Sequence, residues 1–529
     1  MIILHNAKIF VGNSSSPFKE AVAITDNKIF AIGKNKDILA LKDRNTTILN
    51  MHEKTILPGF TDSHIHLHHT GKSLSMVNCE TENFQQMVDR LVMRIKETKP
   101  GDWILGHGWN QNLWKNGFDE FEQLHNITKD HPIFLTAKSL HAAWANDIAL
   151  RKAGIFSDTP SPEGGIISRD DNNLPNGLLF ENAMEYLYQI IPPLSQSDLI
   201  KILDLTQQEL WKYGITSVHD FDGVDCFSAL QVMDKEKTLK IRVVKNLPVS
   251  AIESIIQTGL QTGFGSQFLK IGSIKLFSDG AMGPQTAAML SPYENNSQNL
   301  GMLLLTKEKV KEYGCRASAS GLSLAIHAIG DKANREMIDA FAEIRIFEKK
   351  HKLLPQKHRI EHVQIIDDAD IPRLASQRII ASMQPIHLIS DMDTANHLWG
   401  FRSKNVYAFK SILEHGIKLV FGSDSPVESF NPFWGLYAAI TRQKFDCSPQ
   451  GGWYPEQKIS LLDAMNAYTI NPAQISNWNG LIGSLKPGKY ADLTIVPENP
   501  FEIEPEAIKD MLPIATMVAG EMVFQREEI

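Results

Sequence analysis

The sequence predicts an α/β protein, a (β/α)₈ TIM-type barrel carrying a small β-sandwich built from both chain termini. Three observations predict it. Through the middle of the chain short apolar runs alternate with longer helix-like segments such as 196–213, 307–320 and 461–468, the pattern of βα units and a parallel sheet. Eight apolar runs can be named there, the number that closes such a barrel. Short β-type runs separated by turn residues occupy both ends, and so few short strands cannot bury a core alone.

Size and composition bound the rest. A chain of 529 residues exceeds one ordinary core, so at least two domains are expected. Charged residues at 22% and hydrophobic ones at 43% are ordinary for a globular protein. A formal net charge of -8 gives no electrostatic reason to expect nucleic acid or an anionic membrane as partner. The first ten residues lack the features of a signal peptide, and no apolar run approaches the roughly 18 residues that span a bilayer. Cys79, Cys226, Cys315 and Cys447 form no Cys-x-x-Cys pair, which argues against a thiolate zinc site and a disulfide scaffold. A reducing cytoplasm is the expected setting.

Taken in order, residues 1–57 give β-type runs at 2–10, 21–25, 29–32 and 46–49. Residues 476–529 give Leu493 to Val496, Ile514 to Val518 and Met522 to Phe524. The economical reading packs the two ends together as one β domain; separate terminal domains are the alternative. The barrel is expected over 58–475, its strands being the lead-in Thr55 to Leu57 before His64, then 133–137, 215–220, 271–277, 322–327, 359–363, 379–384 and 418–424. Long inserts at about 68–132 and 138–210 hold Trp103, Trp109, Trp114 and Trp144. Inserts on βα loops commonly form lids or substrate walls, and a tryptophan cluster serves packing as often as recognition.

Polar residues fall where an apolar core strand has no use for them. His64 and His66 are two apart, so on a strand both point to one side and can offer imidazole nitrogens to one metal ion. Lys275 interrupts the fourth strand; His327 ends the fifth, His362 the sixth and Asp424 the eighth. In (β/α)₈ enzymes the site lies at the C-terminal strand ends, so these residues converge on one mouth as an N₄O₁ ligand set. Singly, a histidine at a strand end is more often a structural group than a ligand, and Gly-Ser-Asp is a common turn. The joint coincidence favours a metal site.

The chain resembles the amidohydrolase superfamily, in its family-3 branch of deformylase-like enzymes. The resemblance rests on Pro58-Gly-Phe-Thr-Asp-Ser-His-Ile-His66, His141-Ala-Ala-Trp-Ala-Asn146, Gly177-Leu-Leu-Phe-Glu181, Asp279-Gly-Ala-Met-Gly283, His327-Ala-Ile-Gly-Asp331, Arg359-Ile-Glu-His-Val-Gln364, Gln384-Pro-Ile-His387, Gly422-Ser-Asp-Ser-Pro426 and Gly483-Ser-Leu-Lys-Pro-Gly-Lys-Tyr-Ala-Asp492. It implies a divalent-metal barrel, zinc first among the ions, with His64 and His66 on one metal, His327 and His362 on a second where two are bound, and Asp424 as ligand and proton shuttle. It places Lys275 where relatives carry a CO₂-carbamylated lysine (N6-carboxylysine), which would bridge two ions roughly 3.5 to 4 Å apart. Glu181 is a further candidate carboxylate. His141 and His219 are assigned to substrate or oxyanion contact, with a supporting role equally open; Asp279 belongs to the same substrate or supporting group, and Arg359 and Glu361 read as supports for His362's strand. One departure is visible: Gln285 stands where many relatives have Arg, which puts recognition of substrate anions in doubt.

The implied chemistry is hydrolysis of a C–N bond, amide or N-formyl, in a small molecule. A bound ion lowers the pKa of water to about 7, supplying hydroxide at neutral pH, and Asp424 acts as general base and then acid. Cyclic amide opening, deamination and ester hydrolysis are alternatives on the same barrel. A catalytically silent barrel used in assembly or regulation is an alternative of another class. The resemblance also implies a homodimer.

Overall fold

The computed structural model describes every residue except 13–16, 111–113, 116, 126, 138–141, 193 and 527–529. The chain divides into two compact units, Met1–His69 with Leu203–Ile529, and Thr70–Ile202. Among the described residues no helix is long and apolar enough to cross a membrane.

In the first unit eight parallel strands follow one another around a barrel: β1 (Phe60–Ile65), β2 (Ile215–Asp220), β3 (Arg242–Pro248), β4 (Leu269–Phe277), β5 (Leu324–Ala328), β6 (Arg359–His362), β7 (Ile380–Met383) and β8 (Leu419–Phe421). The strands are buried almost throughout, as expected where helices cover a parallel sheet. The helix Asp331–Lys350 shows why: Ala333, Met337, Phe341 and Ile344, spaced three to four apart, are buried as one stripe.

Closure between β8 and β1 is made just beyond the strands. The Asp424 N–H donates to the His64 carbonyl at 2.7 Å, and the His66 N–H donates to the Ser425 carbonyl at 3.0 Å. The buried carboxylate of Asp62 adds a cross-link, accepting from the backbone N–H groups of His64 and Ser423, each at 3.0 Å. Gly422 permits this approach, because a Cβ there would lie 2.4 Å from the His64 nitrogen. The fold thus brings residues 64–66 and 424 together through backbone before any side chain acts.

Three strand assignments differ from the sequence expectation. Ile133–Ala137 is not a barrel strand, and β3 was overlooked. The lead-in Thr55–Pro58 also lies outside the barrel: it pairs with Leu493–Val496 and Lys8–Phe10, and the barrel strand begins after Gly59.

The chain ends build two sheets. One, of six strands, orders Glu521–Gln525, Ala515–Val518, Leu493–Val496, Thr55–Pro58, Lys8–Phe10 and Phe18–Lys19; the other, of four, orders Lys28–Gly33, Ala21–Thr25, Ile2–His5 and Thr47–Asn50. Leu4, Val22 and Ile24 of the second share a core with Ile9, Ile56, Leu493, Ile495 and Met517 of the first. Burying both ends in one core removes the need for either to be stable alone.

The second unit holds its own six-stranded sheet, ordered Gly165–Arg169, Pro175–Glu181, Ala142–Ala145, Ile133–Ala137, Ile104–Trp109 and Val77–Asn78. Trp109, Trp114 and Trp144 are buried within its core together with Phe84 and Phe121. These three tryptophans therefore serve packing.

Candidate metal centre

His64 is the penultimate residue of β1, and His66 follows immediately after it. Lys275 lies near the end of β4, His327 near the end of β5, His362 ends β6 and Asp424 follows β8. All six line one cavity of about 360 Å³ at the C-terminal end of the barrel.

Each histidine has one ring nitrogen tied down. Nδ1 of His64 bonds the Glu361 carboxylate at 2.6 Å. Nδ1 of His66 faces Oδ1 of Asp222 at 3.3 Å. Nδ1 of His362 bonds Oε1 of Gln384 at 2.9 Å, and Nε2 of His327 bonds the Gly280 carbonyl at 2.9 Å. This leaves Nε2 of His64, His66 and His362, and Nδ1 of His327, as the nitrogens available to a ligand. Such partners fix ring orientation and tautomer in metal sites.

The geometry fits a cation. Nε2 of His64 and Nε2 of His66 each lie 3.4 Å from Oδ1 of Asp424. Ligand atoms about 2.0–2.2 Å from one tetrahedral ion are themselves separated by roughly 3.3–3.6 Å. His64, His362 and Asp424 also bring ligand atoms to within 4.8 Å of one another. Burial holds the His64 and His327 rings down to about 4, so both are neutral near pH 7, the form that ligates. His66 differs: burial pulls it down, but Asp222 and Asp424 outweigh that and raise it to about 9. Burial opposes ionisation of Asp424, yet His64, His66 and His362 hold its carboxyl well below the usual range, so it is a carboxylate.

Lys275 is buried, which pulls its ammonium down to about 8. Its Nζ sits over the Phe221 and Phe277 rings at 4.7 and 4.8 Å. Among the described residues no carboxylate lies within ion-pair distance of it.

Of the other sequence-selected residues, Arg359, Glu361, His219 and Asp279 are not among those that line the cavity. Glu361 supports His64 and is held by Arg359, whose guanidinium also bonds Nδ1 of His219 at 2.8 Å and the Ser63 carbonyl at 2.6 Å. His219 is fully buried and does not line the cavity. Asp279 accepts backbone N–H groups from Ala288, Ile329 and Gly330, pinning the loop that carries Gly280 against His327. Burial raises its carboxyl to about 7. Glu181 ends a strand of the 70–202 unit, and His141 lies outside the described residues.

Sequence reasoning passed over Asp222 and Asp391, and it quoted Gln384 and His387 in a motif without giving either a role. Asp222 ends the run His219-Asp-Phe-Asp just beyond β2, so the strand-end rule that found His327 could have found it. It accepts the His68 N–H at 2.5 Å and contacts the ring of His69 as well as that of His66.

A family model described as the amidohydrolase family matches residues 47–524. The chain belongs to the amidohydrolase family. It is 31% identical to Protein LONG AFTER FAR-RED 3 of Arabidopsis thaliana, over 99% of this chain and 91% of that one. It is 23% identical to the N-substituted formamide deformylase of Arthrobacter pascens, over 99% of this chain and 98% of that protein. Among solved structures, an uncharacterized metal-dependent hydrolase from Pyrococcus furiosus matches with a TM-score of 0.76 at 27% identity, covering 95% of this chain and 100% of the other. Membership and this likeness support a metal-dependent hydrolase.

Proposed function

We propose that the chain hydrolyses a C–N bond, amide or N-formyl, of a small molecule at a divalent-metal centre held by His64, His66, His327, His362 and Asp424, with Lys275 joining when carbamylated. The observation that carries this reading is the meeting of His64 Nε2, His66 Nε2 and Asp424 Oδ1 at 3.4 Å separations on the wall of a cavity. Zinc is the ion proposed, one or two per chain. When bound, the ion supplies Lewis acidity toward a carbonyl oxygen and acidifies a water.

The chain's own groups do the rest. Asp424, ionised and enclosed, takes a proton from the attacking water through a carboxylate oxygen. It returns that proton to the leaving nitrogen as the carbon–nitrogen bond breaks, so water is consumed and an acid and an amine are released. Glu361, Asp222 and Gln384 hold three ligand rings in place. Lys275, with aromatic faces around it and no carboxylate within ion-pair distance among the described residues, fits a lysine that becomes a carboxylate-like ligand on reaction with CO₂.

The test is hydrolysis of a panel of N-formyl, N-acyl and cyclic amides, with matched esters, by zinc-loaded protein and by Asp424→Asn. Turnover of an N-formyl or N-acyl amide that disappears in the variant supports the reading. Turnover confined to esters, or no turnover by the loaded protein, overturns it.

A further inference from the structure

The cavity holds a second carboxylate that the hydrolytic reading does not use. Asp391 lies on the helix His387–Trp399 that follows β7, and it lines the same cavity as His64 and Asp424. The helix is positioned by the His387 ring, whose Nε2 bonds the Ser423 carbonyl at 3.1 Å, next to Asp424. Asp391 is four residues further on, about 6 Å along the axis.

Only one of its oxygens is engaged. Oδ2 accepts from Nε2 of Gln364 at 2.7 Å and from the Tyr407 hydroxyl. Oδ1 has no hydrogen-bond partner among the described residues. No lysine or arginine among them lies within ion-pair distance of this carboxylate. Its electrostatic neighbours are His387 and the acidic Glu428, the second of which adds negative charge. Burial raises this carboxyl above the usual carboxylate range, and Oδ1, on the cavity side and without a protein donor among the described residues, can take one from a ligand. The same cavity, besides its histidines and Lys275, has apolar wall from Phe277, Met282, Ile329 and Val427. A substrate that suits both features carries a hydrophobic body and a hydrogen-bond-donating cation.

We propose that Asp391 is a substrate-recognition residue, binding through Oδ1 a cationic nitrogen, an ammonium or guanidinium, carried by the substrate away from the bond that is cut. Gln364 and Tyr407 are positioning residues that aim the carboxylate. The assignment rests on the cavity being the substrate pocket of the proposed hydrolase.

Calorimetric titration of zinc-loaded protein tests this without turnover, using n-propylguanidinium against its neutral isostere n-propylurea. The guanidinium is expected to bind at least about tenfold more tightly, as a charged donor does to a carboxylate oxygen, and Asp391→Asn is expected to abolish the preference. Equal binding of the two probes by the wild-type protein overturns the proposal. So does a preference that survives in Asp391→Asn, since the cation would then be sitting on Asp424. Should that variant fail to fold, Asp391→Ser, which removes the charge and leaves a small polar group, reads the same loss. Because binding alone is measured, a failure of the hydrolytic reading leaves this result intact, and equal probe binding leaves hydrolysis untouched.

Discussion

Nδ1 of His64 and the carboxylate of Glu361 meet at 2.6 Å with both side chains fully enclosed. Glu361 is kept ionised against the cost of burial by Arg359 and by His64 itself. The consequence is a ring with fixed orientation, its Nε2 presented to Asp424. Glu361→Gln removes the charge while keeping the shape, and is expected to weaken zinc binding by about 10- to 100-fold, the usual effect of losing such a partner. Competition with a chromogenic chelator measures it.

Asp424→Asn is expected to retain bound zinc, since His64, His66, His327 and His362 remain, while turnover falls by at least about 100-fold for want of the proton carrier. Metal content and initial rates on the same preparation check both halves. A variant that turns over normally sinks the general-base assignment.

Lys275→Ala is expected to lower turnover by roughly two orders of magnitude, the scale of the charge stabilisation a bridging ligand supports. Added short-chain carboxylic acids should restore part of it by occupying the vacated space. Unchanged activity in the variant rules out Lys275 as a bridge.

Gly422→Ala tests how the site is built from backbone. A Cβ there would meet the His64 nitrogen at 2.4 Å, so β8 and β1 must separate. Overpacking of this kind costs about 1–3 kcal/mol, readable as a lowered urea midpoint. Zinc affinity should fall with it, because the same shift parts His64 from Asp424.

Stability in acid is expected to depend on Glu348, remote from the cavity. Burial disfavours its charge, but His358, Arg345 and the Gln356 N–H outweigh that and hold the carboxyl down to about 2. The unfolded value is about 4.3, so the carboxylate contributes its stability above that pH and loses it as pH falls toward 2. Glu348→Gln should therefore lower stability at neutral pH and flatten the acid limb of urea unfolding between about pH 4.5 and 2.

Much of this architecture was legible because parallel strands are apolar runs and the residues that break the pattern carry chemistry. His327, His362 and Asp424 stood out for that reason, and they do line one cavity. The same rule misled at β3. Lys245 and Asn246 interrupt the apolar run of that strand, yet the Lys245 ammonium is buried against Asp220 at 2.5 Å, a pairing 25 residues long that no local pattern reveals. Conversely Ile133–Ala137 is buried over its whole length, and a buried strand of an antiparallel-containing sheet reads like one of a barrel. Asp391 escaped notice because its significance lies in Gln364 and Tyr407, 27 and 16 residues away.

The central claim is that the side chains around His64, His66 and Asp424 hold a divalent ion on which turnover depends. Elemental analysis of the purified protein, with hydrolysis assayed before and after chelation and again after zinc is returned, tests it most directly. One or two equivalents of divalent metal per chain are expected, with loss of turnover when they are stripped and recovery on readdition. Full turnover by protein stripped of metal would contradict it.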